Sequence, residues 1–296
     1  MLKIMKNFKI CALISVAVIL LGVVFYFVNG GFATDIDFSG GCKMVVSTEG
    51  VENIDEAAIK SAVENVEGIK FYGIVKMDNN QLQVKTSSIS TQEKGLEIFD
   101  AVKDAAGLKV DKYESCENIS ASLSKDLLTN ALIALCIAII GILIYICIRF
   151  ELAAAIAAIL ALLHDALVML AVYAIFRFTV NSTFVAAILT IIGYSVNATI
   201  IIFDRIRENK KFAAKLPFEE ICEKSVHQTL RRTVNTTITT LIALVCLYIL
   251  GAESIKMFAI PLIIGVVVGT YSSVCVSAPI WNLARGIIKS NKKKQK

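Results

Sequence analysis

A histidine and an aspartate stand side by side in one of the most apolar stretches of this 296-residue chain. His164 and Asp165 lie within ILALLHDALVMLAV (159–172). Ionisable side chains are expensive to bury in such a segment, and they commonly mark proton or ion pathways. The pair is therefore a candidate functional site. A structural alternative is a neutral His164 bonded to a carbonyl oxygen, with Asp165 capping a kink.

A second apolar segment carries small and polar residues at helical spacing. The string GYSVNAT (193–199) is followed by a charged exit, FDRIREN (203–209). Small and hydroxyl-bearing residues let membrane helices approach closely and bond across their interface. Packing is the favoured interpretation of Gly193 and Ser195, whereas packing explains Asn197 less well.

The next apolar segment begins with Arg231 and Arg232 and continues with threonines at five of the eight positions 233–240. Threonines at this density supply a polar face that can bond to neighbouring helices or to water. The plain interpretation of both arginines is that they extend their head groups to the membrane interface.

The composition argues against a soluble enzyme or a nucleic-acid-binding module. Apolar residues make up 56% of the chain and charged residues 19%, and mean hydropathy is +0.69. No nucleophile–base pair, phosphate-binding loop or metal-ligand cluster is visible. His227, the only other histidine, lies far along the chain from His164. We therefore expect neither an enzyme nor a metal site.

The apolar residues form six runs, each long enough for a helix that crosses a membrane. A bilayer core about 30 Å thick needs about 20 such residues. The predicted spans are 10–28, 127–148, 152–175, 183–203, 233–250 and 257–280. The first is predicted to be an uncleaved anchor, because its apolar core is longer than that of a signal peptide and no clear cleavage site follows.

Lysine and arginine in the short flanks of the spans predict the orientation of the chain. Eight lie in 204–232 and six follow Trp281, whereas the short loops on the other side contain only Arg177 and Lys256. Basic flanks remain in the cytoplasm, so both termini are predicted to be cytoplasmic. The basic tail 282–296 can also contact anionic membrane lipid.

The long segment 30–125 is predicted to form an extracytoplasmic domain, and it contains 16 acidic residues against 10 lysines. Alternating apolar residues and turn signals predict the order β-α-β-β-α-β, which is the ferredoxin-like arrangement. The strands are expected at 42–48, 69–77, 81–87 and 108–115. The helices are expected to begin near Asn53 and at a capping box formed by Ser90 and Glu93, and the turn between the middle strands at 78–80.

Only Cys42 and Cys116, of eight cysteines, lie in this outer segment. The first and last strands of a ferredoxin-like sheet are antiparallel neighbours. These thiols are therefore predicted to come within disulfide range, the alternative being two unpaired thiols. The fold class that we predict is an α-helical integral membrane protein with six transmembrane helices and one α+β ferredoxin-like domain. Its parts are 1–29, 30–125, a five-helix bundle at 126–281 with a cytoplasmic loop at 204–232, and 282–296.

Four motifs together resemble the SecF family, part of the SecDF accessory complex of bacterial protein export. They are DIDFSGG (35–41), His164-Asp165, GYSVNATIIIFDRIREN (193–209) and Arg232-Thr233. The resemblance makes His164, Asp165, Asn197 and Arg232 candidates for an ion path. The other residues that match the family motifs are Asp37, Phe38, Gly40, Gly41, Gly193, Tyr194, Ser195, Thr199, Asp204 and Arg205. The family belongs to the resistance-nodulation-division superfamily.

The resemblance implies a subunit that pairs with SecD, docks on the SecYEG channel and helps to pull exported polypeptide across the bacterial plasma membrane. A proton or sodium gradient would supply the energy, and the resemblance implies no cofactor. One departure stands out: the family string Asn-Asp-Thr is Asn197-Ala198-Thr199 here. The family aspartate and the arginine matching Arg232 are thought to belong to the ion relay, and alanine holds no proton.

The loss of this carboxylate leaves three interpretations open. Asp165 or a SecD carboxylate carries the coupling, the subunit is weakly energised, or it is a passive assembly partner. A carboxyl group that alternates between a low-dielectric setting and the neighbourhood of an arginine can load and release a proton. We expect Asp165 to do so. A half-transporter of a lipid or small molecule is the remaining alternative.

Overall fold

Six long apolar helices organise the part of the chain that the computed structural model describes, which is residues 4–49, 51, 54–77, 80–89, 91–212 and 215–294. Each is long and apolar enough to cross a membrane. They are α1 (Ile4–Val28), α5 (Ala121–Arg149), α6 (Leu152–Phe176), α7 (Ser182–Phe212), α8 (Phe218–Leu250) and α9 (Glu253–Ser272). A π-helical turn at Ser273–Ser277 joins α9 to α10 (Ala278–Lys294).

The helices are longer than the spans predicted from the apolar stretches. Both α7 and α8 extend well into the segment 204–232, so helix ends occupy most of the predicted loop. The last span continues through the π-helical turn into α10. Helix α7 remains regular beyond its apolar part because its charged end is held by side-chain contacts with α8, such as Arg205 with Gln228.

A four-stranded antiparallel sheet lies between α1 and α5 in the chain. Its strands are β1 (Gly41–Ser47), β2 (Phe71–Met77), β3 (Gln81–Thr86) and β4 (Ser115–Ile119), in the order β2-β3-β1-β4. The helices α3 (Glu56–Glu64) and α4 (Gln92–Ala106) pack on it, and α2 (Ile36–Ser39) precedes β1. The ferredoxin-like order is confirmed, and β1 and β4 are antiparallel neighbours as predicted.

The last strand is displaced from its predicted position. It was expected at 108–115, but β4 begins at Ser115 and contains Cys116, which was expected to follow it. Pairing with β1 starts at the bond from Glu114 N to Val45 O. Leu108 is buried, but it lies in the irregular connection between α4 and β4. Its apolar side chain therefore indicates contact with the core and not a strand.

The N-terminal caps of the two helices in this domain lie one or two residues after the caps predicted from the sequence. Helix α3 is capped by Asp55, whose carboxylate accepts from Ala57 N, and α4 by Thr91, which accepts from Lys94 N. Asn53 and Ser90, the caps predicted from sequence, and positions 78 and 79 of the predicted turn lie outside the described residues. The remaining turn residue, Asn80, has the positive φ of 56° typical of a tight turn.

Alanine and glycine bring α1 close to α6. A run of buried alanines lines α6, and Gly22 of α1 faces Ala171 so closely that a Cβ atom on Gly22 would overlap the Cα and Cβ atoms of Ala171. Helices without side chains at the crossing approach closely and gain dispersion contacts. The most buried spans are α6, α7 and the last span, Ile255–Ile288, whereas α1, α5 and α8 expose most of their surface.

Candidate functional site

The His164–Asp165 pair lies at the centre of the helix bundle. Asp165 is 2% exposed, and the Oδ1 atom of its carboxylate is 3.0 Å from His164 Nδ1. Its Oδ2 atom accepts a 2.5 Å hydrogen bond from the hydroxyl of Ser195 on α7. Helix α6 is continuous through this point. Asp165 therefore bonds to the side chains of the preceding residue and of a neighbouring helix, at a point where α6 is an uninterrupted α-helix.

The imidazole links this carboxylate to α1 and α9. His164 Nε2 lies 2.8 Å from Ser15 Oγ, and Ser15 Oγ lies 3.3 Å from the hydroxyl of Tyr271. Tyr271 donates to the carbonyl oxygen of Cys11 at 2.8 Å. Six polar groups from four helices thus form one chain of hydrogen bonds, which we call the His164–Asp165 network and which comprises Cys11, Ser15, His164, Asp165, Ser195 and Tyr271.

A track of hydroxyl groups continues from Ser195 between α7 and the π-helical turn. Ser273 donates to the carbonyl oxygen of Ser195 at 3.3 Å and lies 2.9 Å from the Thr199 hydroxyl. Further along, Thr237 of α8 pairs with Thr270 of α9 at 2.8 Å. π-Helical turns are often found at functional sites. The track gives the bundle a polar interior next to Asp165.

The other predicted ion-path residues do not reach the network. Asn197 is exposed on α7, and Arg232 is exposed on α8 with no ion pair among the described residues. Ala198 is 8% exposed, so the position of the family carboxylate faces the packed side of α7. A Cβ atom on Gly193 would meet nothing within 4 Å, whereas Ser195 is fully buried. Close packing within this chain therefore does not explain why residue 193 is a glycine. Ser195 packs in the interior, and its hydroxyl group also donates to Asp165.

The motif at 35–41 joins the sheet domain to the start of α7. Asp37 Oδ2 accepts hydrogen bonds from Ser182 N and Ser182 Oγ at 3.2 and 2.8 Å, and its Oδ1 accepts from Lys43 at 3.1 Å. Asp35 pairs with Lys85 in a buried contact of 2.5 Å. A carboxylate at a helix N-terminus stabilises the free N–H groups there. The motif is therefore a structural joint.

Glycine is required at Gly41, where the joint becomes β1. A Cβ atom there would overlap the carbonyl oxygen of Thr86 and crowd Ile36. Gly40 has a φ of 76°, which favours glycine over residues with a side chain, and Phe38 is half-buried. The glycine pair and its flanking residues thus shape the connection.

The stability of this joint is expected to depend on pH. Burial acts to raise the pKa of the Asp37 carboxyl group, but hydrogen bonds from Ser182 and Lys43 outweigh it and hold the pKa below its ordinary value. The stabilisation is therefore fully present above the unfolded pKa of about 3.9 and is lost as pH falls through the lower folded value.

We expect Asp37→Asn to lower the free energy of unfolding by about 1 kcal/mol at pH 7. Thermal unfolding should show the difference from the unaltered chain shrinking below pH 4; a difference that stays constant with pH would contradict it.

The charged exit of α7 forms a second structural joint, at the other end of the bundle. Asp204 pairs with Arg149 at 2.8 Å, and Arg205 pairs with Glu208 at 2.6 Å. Glu151 accepts from Lys210 at 3.0 Å and from the Trp281 indole at 2.9 Å. Asp204 and Arg205 thus hold helix ends together, away from the His164–Asp165 network. Tyr194 packs against the apolar core.

Comparison with known proteins decides the family. Residues 100–286 match the model described as "Protein export membrane protein SecD/SecF, C-terminal". The protein translocase subunit SecF of Sebaldella termitidis is 37% identical over 303 residues, covering 99% of this chain and 95% of the relative. The chain belongs to the SecF family. Homologues of this name support a role in protein translocation, and with six apolar helices they indicate a multi-pass protein of the bacterial membrane.

SecDF proteins are similar to this SecF-family chain over part of their own length. The protein translocase subunit SecDF of Bacillus subtilis is 47% identical over 182 residues, which is 60% of this chain and 25% of the relative. The crystal structure of SecDF from Thermus thermophilus, described as a translocon-associated membrane protein, aligns with a TM-score of 0.79 at 29% identity. That alignment covers 93% of this chain and 37% of the SecDF chain.

Two side chains of the His164–Asp165 network, those of Ser15 and Tyr271, were not predicted from the sequence of this SecF-family chain. Ser15 is a single hydroxyl in an apolar span, and Tyr271 a single phenol near a run of small residues. Neither stands in a motif, and each is more than 100 residues from His164 in the chain. The one feature of the sequence that could have indicated these two residues is a polar side chain within an apolar span. Many residues with that feature have only a packing role.

Proposed function

We propose that this chain is the SecF subunit that works with SecD on the SecYEG channel, and that it couples the export of polypeptides to an ion gradient through Asp165. It acts as a transport subunit and not as an enzyme, with both termini in the cytoplasm and the sheet domain outside the plasma membrane. The observation that carries the coupling is the His164–Asp165 network, a buried carboxylate with hydrogen-bond partners on both oxygens.

The network has two complete arrangements that differ by one proton. With Asp165 ionised, His164 Nδ1–H donates to Oδ1, and the Ser15 hydroxyl donates to Nε2. With Asp165 protonated, its Oδ1–H donates to Nδ1, Nε2–H donates to Ser15 Oγ, and the Ser15 hydroxyl turns to the Tyr271 oxygen. Ser195 donates to Oδ2 in both arrangements. Since the distances accommodate either pattern, a proton can be gained or lost without leaving a network nitrogen or carboxylate oxygen unpaired.

Histidine supports this assignment through its two ring nitrogens. A neutral imidazole carries its proton on one nitrogen and accepts on the other, and the tautomer is set by its partners. In this network the partners are a carboxylate on one side and a hydroxyl group on the other, and the hydroxyl group can donate or accept. His164 thereby extends the change at Asp165 towards α1, while Ser195 extends it towards the hydroxyl track.

The SecD partnership is supported by what α7 and α8 leave exposed. Asn197, Arg232, Asn235 and Thr236 are exposed on membrane-spanning helices, where contact with lipid would be costly. Helices of a second protein that cover these side chains would remove that cost. A SecD carboxylate would also give Arg232 the counter-ion that Ala198 cannot supply. The SecDF relatives, whose name joins SecD and SecF, favour SecD as that protein.

Co-purification tests the partnership. When a tagged chain is co-expressed with SecD of the same organism, we expect SecD to be recovered with it in detergent. Arg232→Ala should lower the recovery at least about tenfold, because a counter-ion on SecD would be left unpaired inside the interface. Arg231→Ala removes the adjacent exposed arginine and serves as the matched control. Recovery of the chain without SecD would contradict the proposal.

A passive assembly subunit is the second candidate, and Ala198 favours it. The family carboxylate is replaced by a buried methyl group, so one station of the expected relay is absent. Such a subunit would still recruit SecD but would respond to no change at Asp165. Asp165→Asn thus separates the two candidates, because it should leave the activity of a passive subunit unchanged.

A further inference from the structure

Two thiols face each other across the first and last strands of the sheet domain. Cys42 and Cys116 occupy the adjacent strands β1 and β4, with their Sγ atoms 3.0 Å apart. In the strand register Cys42 lies opposite Asn118 and Cys116 opposite Met44, so the two residues are diagonal neighbours on one face. A disulfide has an S–S length of about 2.05 Å, and closure therefore needs a movement of about 1 Å.

Closure would move the strand at the edge of the sheet. β4 is a five-residue edge strand paired on one side only, and Cys116 is partly exposed. Cys42 is fully buried within the apolar core of the sheet domain. The remaining six cysteines lie in α1, α5, α8 and the π-helical turn, so this is the thiol pair of the sheet domain.

The geometry points to a disulfide between Cys42 and Cys116 as a covalent modification of this chain, formed once the sheet domain reaches an oxidising compartment. The oxidant is a thiol–disulfide oxidase. The Cys116 thiolate, the more accessible of the two, attacks a sulfur of the oxidase disulfide and releases one oxidase thiolate. The Cys42 thiolate then attacks Cys116 Sγ and releases the second.

The reaction balances as a dithiol–disulfide exchange. Two thiols of this chain lose two protons and two electrons, and the oxidase disulfide becomes a dithiol. Burial raises the pKa of the Cys42 thiol, and Cys116 adds to the rise. The second step needs the Cys42 thiolate, so closure should become faster as the pH rises.

The bond would fasten the edge of the sheet domain at the point where the chain returns to the membrane. β4 is followed at once by Ser120, which caps α5 by accepting from Leu123 N at 3.2 Å. β1 follows the α2 joint, which is bound to the start of α7 through Asp37. A Cys42–Cys116 bond closes the segment between them into a covalent loop and prevents β4 from separating from β1. A cross-link over a loop of this length stabilises the folded state substantially.

Counting free thiols in the full-length chain tests the inference. Membranes containing the chain are quenched with acid, denatured and labelled with polyethylene-glycol maleimide, with and without prior reduction. We expect six of the eight cysteines to be labelled before reduction and all eight after it. Peptide mapping by mass spectrometry should place the bond between residues 42 and 116. Eight labelled thiols without reduction would overturn the inference.

Serine variants provide the controls. Cys42→Ser should show seven labelled thiols with or without reduction, and the double variant Cys42→Ser/Cys116→Ser six in both conditions, because labelling follows denaturation and does not depend on folding. Cys136→Ser, which removes an exposed thiol of α5, should keep the two-thiol difference. Reduction should speed proteolysis of the segment 42–116 at least about tenfold in the unaltered chain and leave the double variant unchanged. An equal difference in the double variant would overturn the assignment to this pair.

Discussion

Asparagine in place of Asp165 is expected to abolish the part of protein export that depends on the ion gradient. The amide has nearly the shape of the carboxyl group, so it can keep contact with Ser195 and His164 and preserve the fold. It cannot take up or release a proton. In vesicles carrying the Sec channel, SecD and this chain, the gradient-dependent increase in export should fall at least about tenfold, because a relay without its titrating group has no partial function.

The matched control for this variant is Asp126→Asn. Asp126 is exposed near the start of α5, so its neutralisation removes an acidic charge near the membrane without touching the network. Export should remain at the level of the unaltered chain. If Asp165→Asn exported as well as Asp126→Asn, the passive assembly function would be favoured over coupling through Asp165.

Alanine in place of Gly22 is expected to have the largest effect on stability. A methyl group there would overlap backbone and side-chain atoms of Ala171 on α6, and backbone atoms cannot turn aside as a flexible side chain would. Helix α1 therefore has to move away from α6. This movement removes close packing between the two helices and displaces Ser15 from His164. We expect a loss of about 2–3 kcal/mol in the free energy of unfolding, measured in detergent by thermal or denaturant unfolding.

Gly141→Ala is the matched control for Gly22→Ala. Gly141 lies in the membrane-spanning helix α5, and a Cβ atom there would meet nothing within 4 Å. Because alanine favours helix over glycine by up to about 1 kcal/mol, this variant should be neutral or slightly stabilising. Equal destabilisation by the two substitutions would show that the α1–α6 crossing is not the cause.

The architecture was largely accessible from the sequence because its signals are local. Apolar runs of membrane length gave the six spans, and alternation with turn residues gave the ferredoxin-like order. The main error, the position of β4, arose where Leu108 is buried without being in a strand. Periodicity reports which residues face a core; it does not report which backbone groups pair.

The candidate site was only partly accessible. His164 and Asp165 are conspicuous because charged residues in spans are rare, and Ala198 because a family motif surrounds it. Ser15 and Tyr271 meet His164 only after α1 and α9 have packed on α6, so their part in the network depends on contacts between distant segments. The same holds for Ser195. Its small side chain favours a packing role in the sequence, and its hydrogen bond to Asp165 depends on the packing of α7 against α6.

Ion flux is the measurement that bears most directly on coupling through Asp165. The chain is reconstituted with SecD in liposomes under an imposed pH gradient, and proton entry is followed with a trapped pH-sensitive dye; a sodium gradient and a sodium dye provide the parallel experiment. We expect flux with the unaltered chain and with Asp126→Asn, and none above empty liposomes with Asp165→Asn. Undiminished flux with Asp165→Asn would contradict it.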